Sequence, residues 1–299
     1  MSQTLIGLGE ALFDVFGDEA RLGGAPLNVA THAHRMLQPG GGRGLVMSRV
    51  GDDPLGRRLL EELLDRGMPV AGVQVDPERP TGRVRVERTD SGGHAFHLLT
   101  DQAYDRLEAT EALRGLAREA DAVAFGSLAQ RSSASRAAIR SLVNEARASG
   151  AVALFDVNLR ASDGQRFYDD DTLRWGVAHA DYVKLNDEEL DTVLGATGDA
   201  DAAALVTSHG LRGLVYTRGA DGTAFVTADG VQEGEPAEVT DPHPDADTVG
   251  AGDSCAAAFL VATLRGAPPA AACTLANRVA AFVAGRPGAT PPLPEDLLA

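Results

Sequence analysis

Ala122-Val123-Ala124-Phe125, Val152-Ala153-Leu154-Phe155 and Tyr182-Val183-Lys184-Leu185 are short apolar runs that begin thirty residues apart, at 122, 152 and 182. Each is too brief for a helix and apolar throughout, the pattern of a strand covered on both faces. Helical patterns fill the gaps, at Ser132–Ala148 and Asp169–Ala178. A strand, a helix and another strand in regular succession predict a parallel sheet flanked by helices. Working outward, Thr4–Gly9 and Gly44–Val50 predict two more buried strands. A helical pattern opens at Gly23-Gly24-Ala25-Pro26 and runs to about Leu37, and Pro54–Arg66 is amphipathic. Pro26 suits a first turn, where its missing N–H would find no partner anyway. Leu214–Val226 reads as a hairpin, and Ala251–Leu264 and Pro269–Val283 as two Ala-rich helices.

One stretch breaks the rhythm. From about Val70 to Leu99, Val73, Val75, Val84 and Val86 alternate with polar residues, and Gly92-Gly93 offers a turn. This predicts a small antiparallel sheet with one polar face, inserted into the α/β chain. There is no internal repeat or long linker, so residues 1–299 are expected to form one domain.

The 299 residues hold 43 acidic and 27 basic side chains, a formal charge of −16, with 44% hydrophobic residues. So negative a surface repels phosphate backbones and anionic lipid, which argues against nucleic-acid or membrane partners. No run approaches the ~20 apolar residues of a membrane span. Two cysteines, Cys255 and Cys273, build no disulfide framework, and no secretory leader is read at the start. A cytoplasmic protein is expected. Lys184 is the only lysine and Leu185 follows it, so the G-x-x-x-x-G-K-[ST] phosphate loop is absent. Inside its apolar run, Lys184 reads as a structural or supporting cation rather than a catalyst. Gly7-x-Gly9 is followed by Leu12, an incomplete dinucleotide fingerprint, so a nicotinamide enzyme is an outside alternative.

The run Asp247-Thr248-Val249-Gly250-Ala251-Gly252-Asp253 leads straight into the helical segment to Leu264. Small residues at a helix start let amide groups converge where the dipole is positive, which makes an anion cradle without lysine. A carboxylate there is electrostatically awkward. Asp253 is explained either as a helix cap or as the base that takes a proton from an attacking hydroxyl.

The same run resembles the D-T-x-G-A-G-D signature of the ribokinase-like (PfkB) carbohydrate kinases. Gly23-Gly24-Ala25-Pro26-Leu27-Asn28 is similar to that family's glycine pair and sugar-site asparagine, and Arg49 to Gly56 to its V-G-x-D-x-x-G segment. Asn186-Asp187-Glu188-Glu189 resembles its N-x-x-E element, and Thr217-Arg218-Gly219-Ala220-Asp221-Gly222 its T-x-G-x-x-G turn. Gly9 to Asp14, Pro80-Thr81-Gly82 and Asp156 to Arg160 look most like bacterial fructokinases. Two stretches depart from the pattern: Asp241 to Ala246 carries two prolines before the signature, and Arg160 lacks a following Leu-Trp pair.

The resemblance implies a three-layer α/β/α body with a mostly parallel central sheet, and a small β lid from segments of about 10–24 and 70–105. It implies ATP-dependent phosphorylation of a sugar, fructose first, with 2-keto-3-deoxygluconate or another sugar or nucleoside as the alternative. A sugar-binding regulator without catalysis is the alternative of another class. Asp253 would be the base, and Gly250, Ala251 and Gly252 the anion hole. Asp14, Gly23, Gly24, Asn28 and Arg160 would hold the sugar, and Asn186, Thr217, Gly219, Gly222 and Asn277 the nucleotide. Asn186 and Glu189 would organise Mg²⁺ through water, while Asp247 and Gly288 would border a K⁺ site. A homodimer paired through the lid is also implied.

Overall fold

The computed structural model describes residues 2–17, 19–88, 94–162 and 164–298. In chain order the elements are β1 (Thr4–Leu8), β2 (Leu12–Phe16), β3 (Glu19–Gly23), α1 (Ala25–Leu37), β4 (Arg43–Gly51), α2 (Pro54–Asp65), β5 (Val73–Asp76), β6 (Gly82–Arg88) and β7 (His94–Leu98). There follow α3 (Glu111–Arg118), β8 (Ala122–Gly126), α4 (Ser133–Ala148), β9 (Val152–Asp156), the short pair β10 (Ala161–Ser162) and β11 (Gln165–Arg166), α5 (Asp170–Ala178) and β12 (Tyr182–Leu185). The chain ends with α6 (Asp187–Thr197), α7 (Ala202–His209), β13 (Gly213–Thr217), β14 (Thr223–Thr227), β15 (Gly230–Glu233), α8 (Ala251–Leu264) and α9 (Pro269–Ala284).

The large sheet has the order β15-β14-β13-β12-β9-β8-β1-β4-β5. Its members from β13 to β5 pair in parallel, and β14 and β15 add an antiparallel edge. Successive strand residues point to opposite faces, and the core divides accordingly. Ile6, Phe125, Phe155, Val183 and Leu214 pack in one layer with Ile139, Leu142, Leu173 and Leu205 from the helices. Their neighbours Leu5, Ala124, Leu154, Tyr182 and Val215 pack in the other, with Val29 of α1, Phe259 of α8 and Val279 of α9. That division is the three-layer α/β/α body.

From β1 the chain adds β4 and β5 on one side, then β8, β9 and β12 on the other. In an open parallel sheet, a ligand crevice forms beyond the strand ends where the order reverses. Here that point is the end of β1, at Gly9 and Glu10.

Over this crevice lies a four-stranded sheet, β3-β2-β6-β7. It corrects two expectations. Val73 and Val75, assigned by alternation to the small sheet, lie in β5, which pairs parallel to β4 at the edge of the body. Val73 packs against the core while Val75 is 49% exposed. Alternation marks a strand with one covered face but not the sheet that holds it. The small sheet is also not purely antiparallel, because β2 and β6, from distant parts of the chain, pair in parallel. Gly92-Gly93 lies outside the described residues. Asp53 fixes where β6 begins: it caps α2 through the Gly56 amide and accepts from the Thr81 amide and hydroxyl, all at 2.7–2.8 Å.

Candidate active site

Between body and lid lies a cavity of about 540 Å³ that brings together Asp14, Gly24, Asn28, Arg160, Gly250, Gly252 and Asp253. The lid contributes Leu12 and Asp14 from β2, Val84 from β6 and Leu98 from β7. Among the described residues its face toward the cavity is therefore apolar apart from one carboxylate.

Asp253 stands in the first turn of α8 and is 9% exposed. Burial and the charge of Asp156 push its carboxyl above the usual range; the Asn28 hydrogen bond, Lys184 and Arg160 pull the other way. Asn28 donates from Nδ2 to Asp253 Oδ2 at 2.7 Å, and its own Oδ1 is buried with no partner among the described residues. The helix start beside Asp253 is open. The Ala251 amide turns back to Thr248 O and the Ser254 amide to Gly250 O, so among the described residues the Gly250, Gly252 and Asp253 amides are the donors left over. Gly250 must be glycine here: φ is +78°, and a Cβ would lie 2.4 Å from Ala289 O. Gly252 is different, with helical backbone and a Cβ direction that opens toward Lys184 Nζ at 3.5 Å. The expected three-residue anion hole thus narrows at Ala251, whose amide is engaged in the turn.

Asp14 is pushed up to about 6, first by burial and then by Asp253, against Arg160. Gly23 does not line the cavity; a Cβ on it would meet Asp14 Oδ2 at 2.9 Å, so its role is to let that carboxylate sit where it does. Gly24, with φ +107°, lets the chain pass 2.6 Å (measured to a Cβ) from Glu10 O as it enters α1. The Arg160 guanidinium makes one hydrogen bond among the described residues, to Leu159 O.

Two ionisable lining residues were not among the expected site residues. Glu10 is 4% exposed with Oε2 unpartnered among the described residues, and burial pushes it up to about 7. Lys184 also reaches the cavity. The signal for Glu10 was its place just past a buried strand.

The other site residues sit beyond β12 and β13. Asn186 and Glu189 form a reciprocal cap on α6, Glu189 N to Asn186 Oδ1 at 3.0 Å and Asn186 N to Glu189 Oε2 at 3.1 Å. The remaining Glu189 oxygen accepts from Leu159 N at 2.9 Å, tying α6 to the loop that carries Arg160. Thr217 pairs with Thr223 across the hairpin, Gly219 and Gly222 shape its turn, and Asn277 donates to Glu235 O behind Gly222. None of Thr217, Gly219, Gly222 and Asn277 lines the cavity around Asp253. Asp247 accepts from the Gly288 amide at 3.2 Å, which joins those two positions directly. The proline-bearing stretch before the signature has no strand.

The family model for pfkB family carbohydrate kinases matches residues 8–296. A fructokinase of Escherichia coli is 29% identical over 271 residues, covering 87% of this chain and 84% of that protein. A 2-dehydro-3-deoxygluconokinase of Thermoproteus tenax is 31% identical over 267 residues, covering 85% and 78%. Among solved structures, a Vibrio cholerae fructokinase double mutant with fructose, ADP and potassium ion bound superposes with a TM-score of 0.79 at 24% identity, covering 100% of this chain and 97% of that one. No helix of the described residues is long and apolar enough to cross a membrane.

Proposed function

We propose, since this chain belongs to the pfkB family of carbohydrate kinases, that its sugar substrate is fructose and that the cavity under the lid receives it. The observation that carries this reading is the charge of the cavity. Glu10, Asp14 and Asp253 are carboxyl groups there, Arg160 is one cation, and Lys184 is already paired with Asp156. Asp14 and Asp253 are both raised, by burial first and then by a neighbouring carboxylate, Asp253 acting on Asp14 and Asp156 on Asp253. A neutral polyol adds hydroxyl donors to such acceptors, whereas a sugar acid adds another negative charge. Arg160, without a carboxylate partner among the described residues, is the feature that favours an acidic sugar as the second reading. A coupled ADP-release assay over a sugar panel separates the two: fructose should give the highest kcat/KM, and a clear preference for 2-keto-3-deoxygluconate would reverse the assignment. Turnover on no sugar, with sugar-dependent thermal stabilisation, would favour a regulator.

The geometry supports the following roles. Asp14 and the free Oδ1 of Asn28 hold sugar hydroxyls. Asp253 takes the proton of the attacking primary hydroxyl as its oxygen bonds to phosphorus and the bond to the departing ADP oxygen breaks. The open amides at the start of α8 hold the charge on the phosphoryl oxygens. ATP supplies that group, and the hairpin turn of Gly219 and Gly222, with Thr217, Asn186 and Asn277, borders its nucleotide.

Among the described residues no cluster of three or more acidic, histidine or cysteine side chains could hold a metal ion. A single carboxylate, Glu189, beside Asn186 fits Mg²⁺, which keeps several waters and leans on phosphates with one or two carboxylates. Glu189, with both oxygens on backbone amides, and Asn186 would organise those waters. Asp247 and Gly288 would border K⁺, the ion named with the Vibrio cholerae structure. We assign the lid sheet, whose outer strands are β3 and β7, as the pairing face of a homodimer of single-domain chains.

A further inference from the structure

Lys184 is the only lysine in the chain, and it is buried. Strand register places it beside Asp156, its partner position on the neighbouring parallel strand, so both side chains rise from the same face of the sheet. Nζ lies 2.9 Å from Asp156 Oδ1, with the two side chains 8% and 6% exposed. A buried ion pair needs no further explanation if its hydrogen bonds close on themselves. This one does not close. An ammonium group has three donors, and the single acceptor Lys184 meets among the described residues is Asp156. Asp156 Oδ2 has no partner there either. Lys184 also borders the cavity, and its Nζ is 3.5 Å from where a Cβ on Gly252 would stand. The ammonium group thus lies under the open amides of α8, at the end of the helix where a cation is unfavourable unless an anion arrives.

We infer that Lys184 is a catalytic residue: held against Asp156, its ammonium group donates to the oxygens of the phosphoryl group received at the start of α8. Asp156 is its positioning residue. Burial opposes the charge on Lys184, but Asp156, with smaller contributions from Cys255 and Asp253, offsets it and keeps the group protonated. The inference rests on the reading of Asp253 and the α8 start as the transfer site, and it adds the fixed positive charge that a chain without a phosphate-loop lysine otherwise lacks there.

Being the sole lysine, Lys184 can be watched without mutation. Protein grown with ¹⁵N-labelled lysine gives one side-chain resonance. With Mg²⁺ present, the β,γ-imido analogue of ATP should shift it, while ADP or sugar alone should leave it nearly in place. A resonance that ignores the analogue, or moves equally with ADP, overturns the inference. Variants give the catalytic readout. Lys184→Met alone strands a buried carboxylate without its counter-charge, which is strongly destabilising, so the informative protein is Asp156→Asn/Lys184→Met. It should bind ADP as the wild type does, bind the imido analogue at least roughly tenfold more weakly, and lose about 10²–10³-fold in kcat, the range for removing one donor from a charge-stabilising site. Turnover within about threefold of the wild type would make the pair structural only. Failure of the wild type to turn over any sugar would instead count against the function, since the resonance is read without catalysis.

Discussion

Asn28 Nδ2 and Asp253 Oδ2 meet at 2.7 Å although 225 residues separate them in the chain. The bond joins α1, which follows the first lid hairpin, to the first turn of α8. It couples the side of the cavity assigned to the sugar to the proposed base, and it lowers the proton affinity of a carboxyl group that burial otherwise raises.

Asn28→Ala should therefore impair catalysis at a distance from the reacting bond. Without the hydrogen bond the Asp253 carboxyl rises further, and the acidic limb of the kcat/KM profile moves to higher pH. Turnover near neutrality should fall roughly tenfold or more, the scale of a hydrogen bond to a charged group. An unmoved acidic limb would show that the bond does not tune the base.

Glu10 makes a stability prediction with a definite sign. Its folded value is raised from the ordinary 4.5 to about 7, so the folded state binds the proton more tightly than the unfolded chain. That stabilisation is present below pH 4.5 and is lost as pH rises through 7. At about 1.36 kcal/mol per pH unit the loss is on the order of 3 kcal/mol. Glu10→Gln stays neutral, so its stability relative to the wild type should improve between pH 5 and pH 8. Parallel denaturant curves for the two proteins over that range would contradict this.

Gly250 and Gly252 should respond differently to substitution. Gly250→Ala forces a side chain into left-handed backbone against Ala289 O, and should destabilise the fold by at least about 1–2 kcal/mol. Gly252→Val meets only Lys184 Nζ, at 3.5 Å. Its melting temperature should stay close to the wild type while activity collapses, because the new methyl groups occupy the phosphoryl site. Thermal melts and turnover on the same preparations check both.

Sugar should close the lid. Its sheet touches the cavity through Leu12, Asp14, Val84 and Leu98, and a small sheet joined to the body along one side can shift as a unit. Hydrogen exchange at residues 12–23 and 82–88 should slow when sugar is added, excluding water that would otherwise take the phosphoryl group. Unchanged exchange there would make the lid a static part of the body.

How much of this was legible depended on whether a feature is local. The buried strands, the helix start at Gly250, the cap formed by Asn186 and Glu189, and the proline-bearing loop before Asp247 are written in adjacent residues. The resemblance supplied the cavity's Asp14, Asn28 and Arg160. Register between strands is not local. Lys184 looked inert inside an apolar run because nothing in that run shows that Asp156 stands beside it and α8 above it. Glu10 was not singled out because its burial comes from α1 and the 126–160 region closing around it. The eight-residue helices α3 and α7 were missed, being too short to repeat a periodic pattern.

The most direct test is Asp253→Asn, measured for turnover and for binding on the same protein. It should bind sugar and ATP with nearly wild-type affinity and lose about 10²–10⁴-fold in kcat, because it keeps the shape of the site and removes the proton acceptor. Turnover within threefold of the wild type would contradict the account, leaving Asp253 a residue of the helix start and no more.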